Sequence, residues 1–304
     1  MKDIVIIGNG PAGLAAAIYG KRAGRDVVVV SDAPSGGGQI ATTWEVDNYP
    51  GLPGIGGMEL GDKLEEHAKK FECEFALGRV TEIVDNGDSK TVVTDKEEIE
   101  TKTVILATGA DHSKLGVPGE DEHIGMGVSY CATCDGAFFR KRTVAVVGGG
   151  DVALGDAIFL SRFAAKVYLI HRRDEFRGAK MLQDQVKAIE NIEILYDTIV
   201  KEVAGADAVE KLLIENVKSK EQSELPVNGV FMAVGIHANV DGIKGLPDRN
   251  EAGYVVADET CETSIAGIYA AGDVRTKQLR QVVTAVADGA NAITSIEKYL
   301  NEMK

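Results

Sequence analysis

Two stretches of the sequence share one pattern, and this pattern decides the fold. Residues 4–31 read IVIIGNGPAGLAAAIYGKRAGRDVVVVS, and residues 144–171 read VAVVGGGDVALGDAIFLSRFAAKVYLIH, at a constant offset of 140 residues. Each stretch has a short β-branched run, a glycine turn, a segment with helical periodicity and a second β-branched run. This order predicts a βαβ unit, in which a crossover helix joins two parallel strands.

The rest of the chain indicates how the two copies are arranged. The segments TVILATGA (103–110) and GVFMAVGI (229–236) add one buried strand to each copy. Residues 265–300 read as a strand and a long amphipathic helix that have no counterpart at the end of the first copy. We therefore expect an α/β protein with two Rossmann-like (βαβ) dinucleotide-binding domains, the second inserted into the first. The predicted domains are 1–112 with 243–304, and 113–242, with crossings in the loops Lys114–Gly119 and Asp241–Pro247.

Composition argues against several classes of partner. The 304 residues carry 33 Lys and Arg against 47 Asp and Glu, a formal net charge of −14. This balance argues against a nucleic acid partner and against an anionic membrane surface. The longest apolar run has six residues, 14–19, whereas a spanning helix needs about 20. The N-terminus lacks the apolar core of a secretory signal, so we expect a cytoplasmic protein that does not cross a membrane.

The first glycine turn has the spacing of a dinucleotide-binding fingerprint. Gly8-x-Gly10-x-x-Gly13 follows a strand and opens a helix. Such glycines allow a tight turn, the approach of a pyrophosphate and close packing of helix on strand, and the helix N-terminus binds the phosphate. Ser31 stands where an acidic residue usually binds the ribose, so that contact is assigned either to Asp32 or to a residue elsewhere.

The second turn differs in its third position and in the charge that follows it. It reads Gly148-x-Gly150-x-x-Ala153, and alanine is an accepted variant at that place. The second strand ends in His171 followed by three nearby arginines, Arg172, Arg173 and Arg177. Because guanidinium groups accommodate the 2′-phosphate of NADP, whereas a carboxylate favours NAD, the sequence predicts a preference for NADPH.

A third signal lies near the C-terminus. Gly272-Asp273 ends a predicted strand, and a helix begins near Gln281. A strand-end carboxylate suits the ribityl and phosphate region of a flavin, and a helix N-terminus can stabilise the anion of reduced flavin. Downstream of two dinucleotide modules, these residues indicate a flavin site.

The cysteines suggest redox chemistry. Cys131-Ala-Thr-Cys134 is either a redox dithiol or half of a zinc site. The five histidines supply no pair that would complete a zinc site, which favours the dithiol and predicts no metal. The adjacent Asp135 is either a proton donor and acceptor for a thiolate or a turn residue. Cys73 and Cys261 are predicted to be buried apolar residues.

These features, in this order, resemble the low-molecular-weight bacterial thioredoxin reductases, class II of the pyridine nucleotide-disulfide oxidoreductases. The resemblance extends over essentially the whole chain, and the dithiol between the two modules is its most specific element. The second fingerprint departs mildly from the family at Val152 and at Gly155-Asp156. The matching motifs are Gly8–Gly13, Gly37-Gly38-Gln39, Thr42-Thr43, residues 45–51, Ala107-Thr108-Gly109, the Cys131–Asp135 segment, HRRDEFR (171–177) and GDVRTKQLRQ (272–281).

The resemblance implies a homodimer in which FAD binds residues 1–112 and 243–304, and NADPH binds residues 113–242. Electrons would pass from NADPH to FAD, then to the Cys131–Cys134 disulfide and to thioredoxin, with Cys134 facing the flavin, Cys131 attacking the partner and Asp135 moving protons. Fingerprint and resemblance together assign to FAD Gly8, Gly10, Pro11, Ala12, Gly13, Asp32, Gly38, Gln39, Thr43, Asn48, Ala107, Thr108, Gly109, Gly272, Asp273, Arg280 and Gln281. They assign to NADPH Gly148, Gly150, Asp151, Val152, Ala153, His171, Arg172, Arg173 and Arg177.

Other functions remain open at this point. The same scaffold could reduce another small redox protein, or it could take electrons from ferredoxin, although the arginines argue against that donor. A non-catalytic zinc or nucleotide sensor is the alternative from a different class, and a flavin absorbance in the purified protein would exclude it.

Overall fold

The computed structural model describes residues 1–43 and 45–303, without the side chain of Thr42. The chain divides into two compact units, residues 1–111 with 237–304 and residues 112–236. The second unit is inserted into the first, as the sequence predicts. Strands β7 (Ala110–His112) and β16 (Ile236–Ala238) span the two boundaries.

The boundaries fall after residues 111 and 236 instead of after residues 112 and 242. The second one is earlier because the segment that follows it is bonded to the first unit. The Asn239 amide donates to the Gly109 carbonyl at 3.0 Å, and the Lys244 amide donates to the Thr81 carbonyl at 2.9 Å. The loops 114–119 and 241–247 therefore lie inside the second and first units, respectively.

The first unit is built on a seven-stranded sheet. Its parallel strands are β3 (Glu74–Leu77), β2 (Val27–Ser31), β1 (Lys2–Ile7) and β6 (Glu98–Leu106), in that order, and β17 (Ile268–Ala270) also pairs with β6. The antiparallel strands β5 (Lys90–Thr94) and β4 (Val80–Asp85) extend it. Four consecutive residues of β1 and of β2 are buried, which explains why both are continuous β-branched runs.

Helices α1 (Pro11–Arg22), α2 (Gly57–Lys70) and α6 (Val282–Glu302) share a hydrophobic core with this sheet. Proline at the first position of α1 has the φ that a helix start requires, and Gly24 follows its end with φ +76°. Helices α1 and α6 approach closely, because a Cβ on Gly289 would be in hard contact with the Ala12 carbonyl oxygen. Alanines and glycines on the two helices permit this packing.

The second unit contains a five-stranded parallel sheet and a three-stranded antiparallel one. The parallel order is β11 (Ile192–Leu195), β10 (Lys166–Ile170), β9 (Thr143–Gly148), β15 (Gly229–Ala233) and β8 (Val128–Ser129). The antiparallel strands are β12 (Thr198–Ala204), β13 (Lys211–Asn216) and β14 (Gln222–Pro226). Its helices are α3 (Ala132–Asp135), α4 (Asp151–Ser161) and α5 (Lys180–Ala188).

The strand register repeats between the units. Ile4 pairs with Val27 in the first unit, and Val144 pairs with Val167 in the second. Each residue of the second pair lies 140 positions after its counterpart in the first. The prediction of two equivalent βαβ units is thereby confirmed.

Candidate functional site

The first glycine turn leaves the start of α1 open. Gly8 has φ +111°, and a Cβ there would be in hard contact with the Ala107 carbonyl oxygen. Gly10 is the N-cap, no side chain caps the helix, and no acidic residue lies in its first turn. A Cβ on Gly13 would be in hard contact with the Gly8 carbonyl oxygen. Pro11 and Ala12 complete the turn, whose uncapped N–H groups can bind a phosphate.

Asn9 connects this turn to the loop after β2. Its side-chain amide donates to the carbonyls of Ala33 at 3.3 Å and Ser35 at 2.9 Å, and its own carbonyl accepts from the Gly37 amide at 3.0 Å. Asp32, the candidate ribose contact, is exposed at the start of this loop. The fingerprint does not predict a role for Asn9, because an unspecified position of the pattern carries no signal of its own.

The next segment brings further candidate FAD residues near the turn. A 3-10 helix, Gly38–Thr42, places Gly38 beside Gly10, where a Cβ on Gly38 would lie 3.4 Å from the Gly10 Cα. The Gln39 side-chain amide donates to the Ala110 carbonyl and to the Asp111 carboxylate. The Thr43 carbonyl accepts from the Gly57 amide at 3.0 Å, so this hydrogen bond joins the segment to the first residue of α2.

Asn48 and Gln281 meet although 233 residues separate them. The Asn48 side-chain amide donates to the Gln281 side-chain oxygen at 2.8 Å. Gln281 is also the N-cap of α6, within a capping box shared with Thr284. Helix α6 therefore begins where the sequence predicts, with two candidate flavin residues at its start.

Among the residues that the structure describes, two buried polar atoms near the strand ends have no hydrogen-bond partner: Thr108 Oγ1, after β6, and Asp273 Oδ1, after β17. Burial raises the pKa of Asp273, against the lowering effect of Lys277 and Arg280. Each atom is a place where a ligand hydroxyl or phosphate could complete the hydrogen bonding. Ala107 is buried before Thr108, and Gly109 after it has φ +74°.

Arg280 fixes the segment between Asp273 and α6. Its guanidinium lies 3.9 Å from the centroid of the Tyr254 ring. The same group donates to the Asp273 carbonyl at 3.3 Å and to the Arg275 carbonyl at 3.2 Å. Gly272, with φ +81°, begins the 3-10 turn Gly272–Val274.

The dithiol lies in the second unit, at the start of α3. Cys131 and Cys134 are joined in a disulfide. Cys131 is the N-cap, and its sulfur accepts from the Cys134 amide at 3.2 Å. Such a contact favours a thiolate over a thiol.

Asp135 follows the disulfide in a partly buried position. The Ser129 hydroxyl donates to its carboxylate at 2.6 Å and accepts from the Cys131 amide at 3.1 Å. Burial raises the pKa of Asp135, opposed by the Ser129 hydrogen bond. A carboxyl with a raised pKa suits proton transfer near neutral pH. The sequence does not predict these contacts of Ser129, because they depend on the fold of the Cys131 segment.

The second glycine turn resembles the first in outline. Gly150 is the N-cap of α4, with no side-chain cap. A Cβ on Gly148 would lie 2.7 Å from the Ala153 Cβ. The Asp151 carboxylate accepts from the Ala179 amide at 2.6 Å, and Val152 is 58% exposed.

The three arginines lie in a loop that is bonded to this turn. The Gly149 carbonyl accepts from the Arg177 amide at 2.8 Å. Buried His171 packs against Gly149, and its Nε2 contacts the Glu175 carbonyl at 2.9 Å; burial lowers its pKa. Arg172, Arg173 and Arg177 are exposed, and in the part of the chain that the structure describes no acidic side chain forms an ion pair with them.

Cys73 and Cys261 are buried free thiols, as predicted. Burial raises the pKa of Cys73 to about 11 and that of Cys261 to about 12. Neither thiol is therefore a nucleophile near neutral pH. Among residues 1–43 and 45–303, no helix has the length and apolar character needed to span a membrane.

Comparisons with known proteins agree with this geometry. The family model described as "Pyridine nucleotide-disulphide oxidoreductase" matches residues 2–289. A thioredoxin reductase of Listeria innocua is 43% identical over 304 residues, covering 99% of this chain and 95% of the relative. A thioredoxin reductase of Bacillus subtilis is 42% identical over 303 residues, covering 99% and 96%. The crystal structure of a thioredoxin reductase from Streptococcus pyogenes has a TM-score of 0.93 at 44% identity, covering 99% of each chain.

Proposed function

The chain belongs to the pyridine nucleotide-disulphide oxidoreductase family, and we propose that it reduces the disulfide of thioredoxin with electrons from NADPH. It is an NADPH-dependent flavoprotein oxidoreductase. The reaction is NADPH + H⁺ + thioredoxin disulfide → NADP⁺ + thioredoxin dithiol. The observation that carries the proposal is the Cys131–Cys134 disulfide at a helix start, in the same unit as the arginine loop.

The first unit fits FAD. The uncapped start of α1 accepts a pyrophosphate, and the unpartnered Thr108 Oγ1 and Asp273 Oδ1 can bond to hydroxyl or phosphate groups of the cofactor. Gly10, Gly38, Gln39, Asn48 and Gln281 would line the same site. When bound, FAD supplies the two-electron chemistry that connects a hydride donor to a disulfide.

The second unit fits NADPH. The start of α4 is uncapped by any side chain, so the pyrophosphate can bind there, and Arg172, Arg173 and Arg177 can surround the 2′-phosphate. Because the Gly149 carbonyl bonds the Arg177 amide, the pyrophosphate and 2′-phosphate contacts are held at a fixed spacing. The exposed arginines make ferredoxin a less suitable donor than NADPH.

The dithiol performs the exchange with thioredoxin. Reduction of the Cys131–Cys134 disulfide gives two thiols, and the Cys134 amide stabilises Cys131 as the thiolate. Cys131 attacks one sulfur of the thioredoxin disulfide, and the other thioredoxin sulfur leaves with the electron pair. Cys134 then attacks Cys131, which releases thioredoxin dithiol and restores the disulfide. Asp135 donates and accepts the protons that these thiolates exchange.

We also infer a cytoplasmic homodimer. The family resemblance supports the dimer, and the need for NADPH and reduced thioredoxin supports the compartment. Sedimentation of the FAD-loaded protein at micromolar concentration tests this inference. A dimer should have twice the 32.3 kDa mass of the chain.

Cysteine variants test the proposed activity. Cys131→Ser and Cys134→Ser should each lower NADPH-dependent thioredoxin reduction by more than about a thousandfold, because each removes a sulfur that must change bonds. Bleaching of the flavin by NADPH should remain in both. Cys73→Ala is the matched control, since this thiol is buried and inert, and should keep wild-type turnover.

The outcomes separate the alternatives. Retained thioredoxin reduction in either serine variant would refute the relay. A wild-type enzyme that reduces another small disulfide protein but not thioredoxin would keep the relay and change the partner. Reduction driven by ferredoxin but not by NADPH would overturn the choice of donor.

A further inference from the structure

One carboxylate in the first unit has an unusual number of donors. Asp288, in the second turn of α6, is 3% exposed. Its carboxylate accepts from the Gly272 amide at 2.8 Å, from Arg275 Nε at 2.8 Å and Nη2 at 2.7 Å, and from Lys277 Nζ at 2.8 Å. Two cations and one backbone amide thus meet at a single buried acid.

The neighbouring acid, half-buried Asp273, has one carboxylate oxygen that is buried and lacks such donors. Its Oδ1 has no hydrogen-bond partner among the described residues. Lys277 is nevertheless close, because Lys277 Nζ and the amide of Gly272, the residue before Asp273, both donate to the same oxygen, Asp288 Oδ2. Burial raises the pKa of Asp273, and Lys277 and Arg280 oppose that rise. Arg280 is engaged instead with Tyr254 and with main-chain carbonyls. Lys277 is therefore the cation that could neutralise Asp273 if Asp288 did not hold it.

We propose that Asp288 is a positioning residue for FAD: by holding Lys277 and Arg275, it keeps a carboxylate oxygen of Asp273 open for the cofactor. The inference rests on the proposed FAD site at Asp273 and is independent of thioredoxin as the substrate. Asp288 has a second effect, since its bond to the Gly272 amide fixes the turn from which the Asp273 side chain extends.

The physical reason is competition for one buried cation. A buried ammonium group must pair with a carboxylate, because leaving it unpaired is costly. With Asp288 neutralised, Lys277 would turn to Asp273, a half-buried carboxyl on which this ammonium group already opposes the effect of burial. Arg275 would keep the Ala257 and Thr276 carbonyls and the exposed Glu259 as partners. A hydroxyl of the cofactor would then have to displace an ion pair.

The test compares FAD affinities of FAD-depleted protein by quenching of flavin fluorescence. Asp288→Asn should weaken FAD binding at least about tenfold, which corresponds to about 1.4 kcal/mol. Lys277→Met alone should stay within about threefold of wild type, since Asp288 retains Arg275. Lys277→Met combined with Asp288→Asn should recover most of the affinity, because no lysine remains to occupy Asp273. Circular dichroism and thermal unfolding without FAD report folding separately.

The remaining outcomes are equally decisive. If the double variant binds FAD as weakly as Asp288→Asn alone, the role of Asp288 is purely structural and the proposal is overturned. Unchanged FAD affinity in Asp288→Asn would also overturn the proposal. If Asp288→Asn does not fold, the FAD affinities of Lys277→Met and of the double variant are compared. Similar affinities support the proposal, and a much weaker affinity of the double variant overturns it. If neither variant with Asn at 288 folds, Asp288 serves the fold itself and the proposal is rejected.

A last variant separates this inference from the proposed FAD site. Asp273→Asn should weaken FAD binding strongly. If it does not, the assignment of Asp273 to FAD fails. If it does, and Asp288→Asn leaves the affinity unchanged, only the inference about Asp288 fails.

Discussion

The two glycine turns of this molecule have the same backbone plan and different surroundings. Both follow a buried strand, both have glycine as the helix N-cap, and neither helix has a side-chain cap. In the first turn a third glycine, Gly13, lies against the Gly8 carbonyl, whereas the second has buried Ala153. The second β-strand of the first unit ends at Ser31, and that of the second unit leads into the arginine loop.

The two units share the residues that form the βαβ fold, and they differ in the residues around the proposed ligand sites. Strand register and helix start are the same in both units, as the β-branched runs and glycines that the two copies share predict. The contacts that distinguish the units come from residues outside this pattern. Asn9 holds the loop after β2 in the first unit, and the Gly149 carbonyl holds the arginine loop in the second.

The largest expected effect concerns the third fingerprint position. Gly13→Ala should destabilise the first unit by about 3 kcal/mol or more and abolish FAD retention, because its Cβ would overlap a main-chain oxygen that cannot move independently. Ala153→Gly should cost only about 1–2 kcal/mol, for a buried methyl group and helix entropy. Urea unfolding measures the loss of stability in each variant, and the flavin content of the purified proteins measures FAD retention. Equal losses in the two variants would remove the structural distinction between the turns.

The next effect concerns the charge beside the second turn. Replacing Arg172 and Arg173 by alanine should lower kcat/KM for NADPH by about a hundredfold or more, since each charge-assisted bond to a phosphate is worth about 1.5–3 kcal/mol. The efficiency with NADH should change little. Arg142→Ala, at another exposed arginine of this unit, is the control. A variant that keeps its preference for NADPH would mean that other residues select the cofactor.

The smallest effect concerns a position where the two copies differ in charge. Asp156 in α4 corresponds to buried Ala16 in α1, and burial raises the pKa of Asp156 to about 6. A carboxyl with a raised pKa in the folded state stabilises the protein while it is protonated, and this contribution is lost as the pH rises from about 4 to 6.

Asp156→Asn should therefore increase the free energy of unfolding at pH 8 by about 1–3 kcal/mol, with little change at pH 4. Denaturant unfolding at the two pH values measures it. Asp207→Asn, at an exposed aspartate of the same unit, should show no such pH dependence. A gain for Asp156→Asn that is equal at both pH values would exclude the buried charge as its cause.

Sequence reasoning succeeded where the determinants are local. Short patterns in the sequence were enough to predict four features: the βαβ units, the start of α6 at Val282, the inserted second unit, and the burial of Cys73 and Cys261. The contacts made by Asn9, Ser129 and Asp288 could not be predicted, because each joins segments whose proximity depends on the completed fold. The second boundary differed for the same reason, since residues after 236 bond to strands far back in the sequence.

The central claim is that electrons enter at the arginine loop from NADPH and leave through Cys131 and Cys134 to thioredoxin. The most direct test is an anaerobic titration of the FAD-loaded enzyme with NADPH or NADH in the presence of oxidised thioredoxin, following flavin absorbance and thioredoxin thiols. The account predicts one thioredoxin disulfide reduced per NADPH, with NADPH preferred over NADH by about a hundredfold or more. Equal efficiency with NADH, or complete flavin reduction by NADPH while thioredoxin stays oxidised, would contradict it.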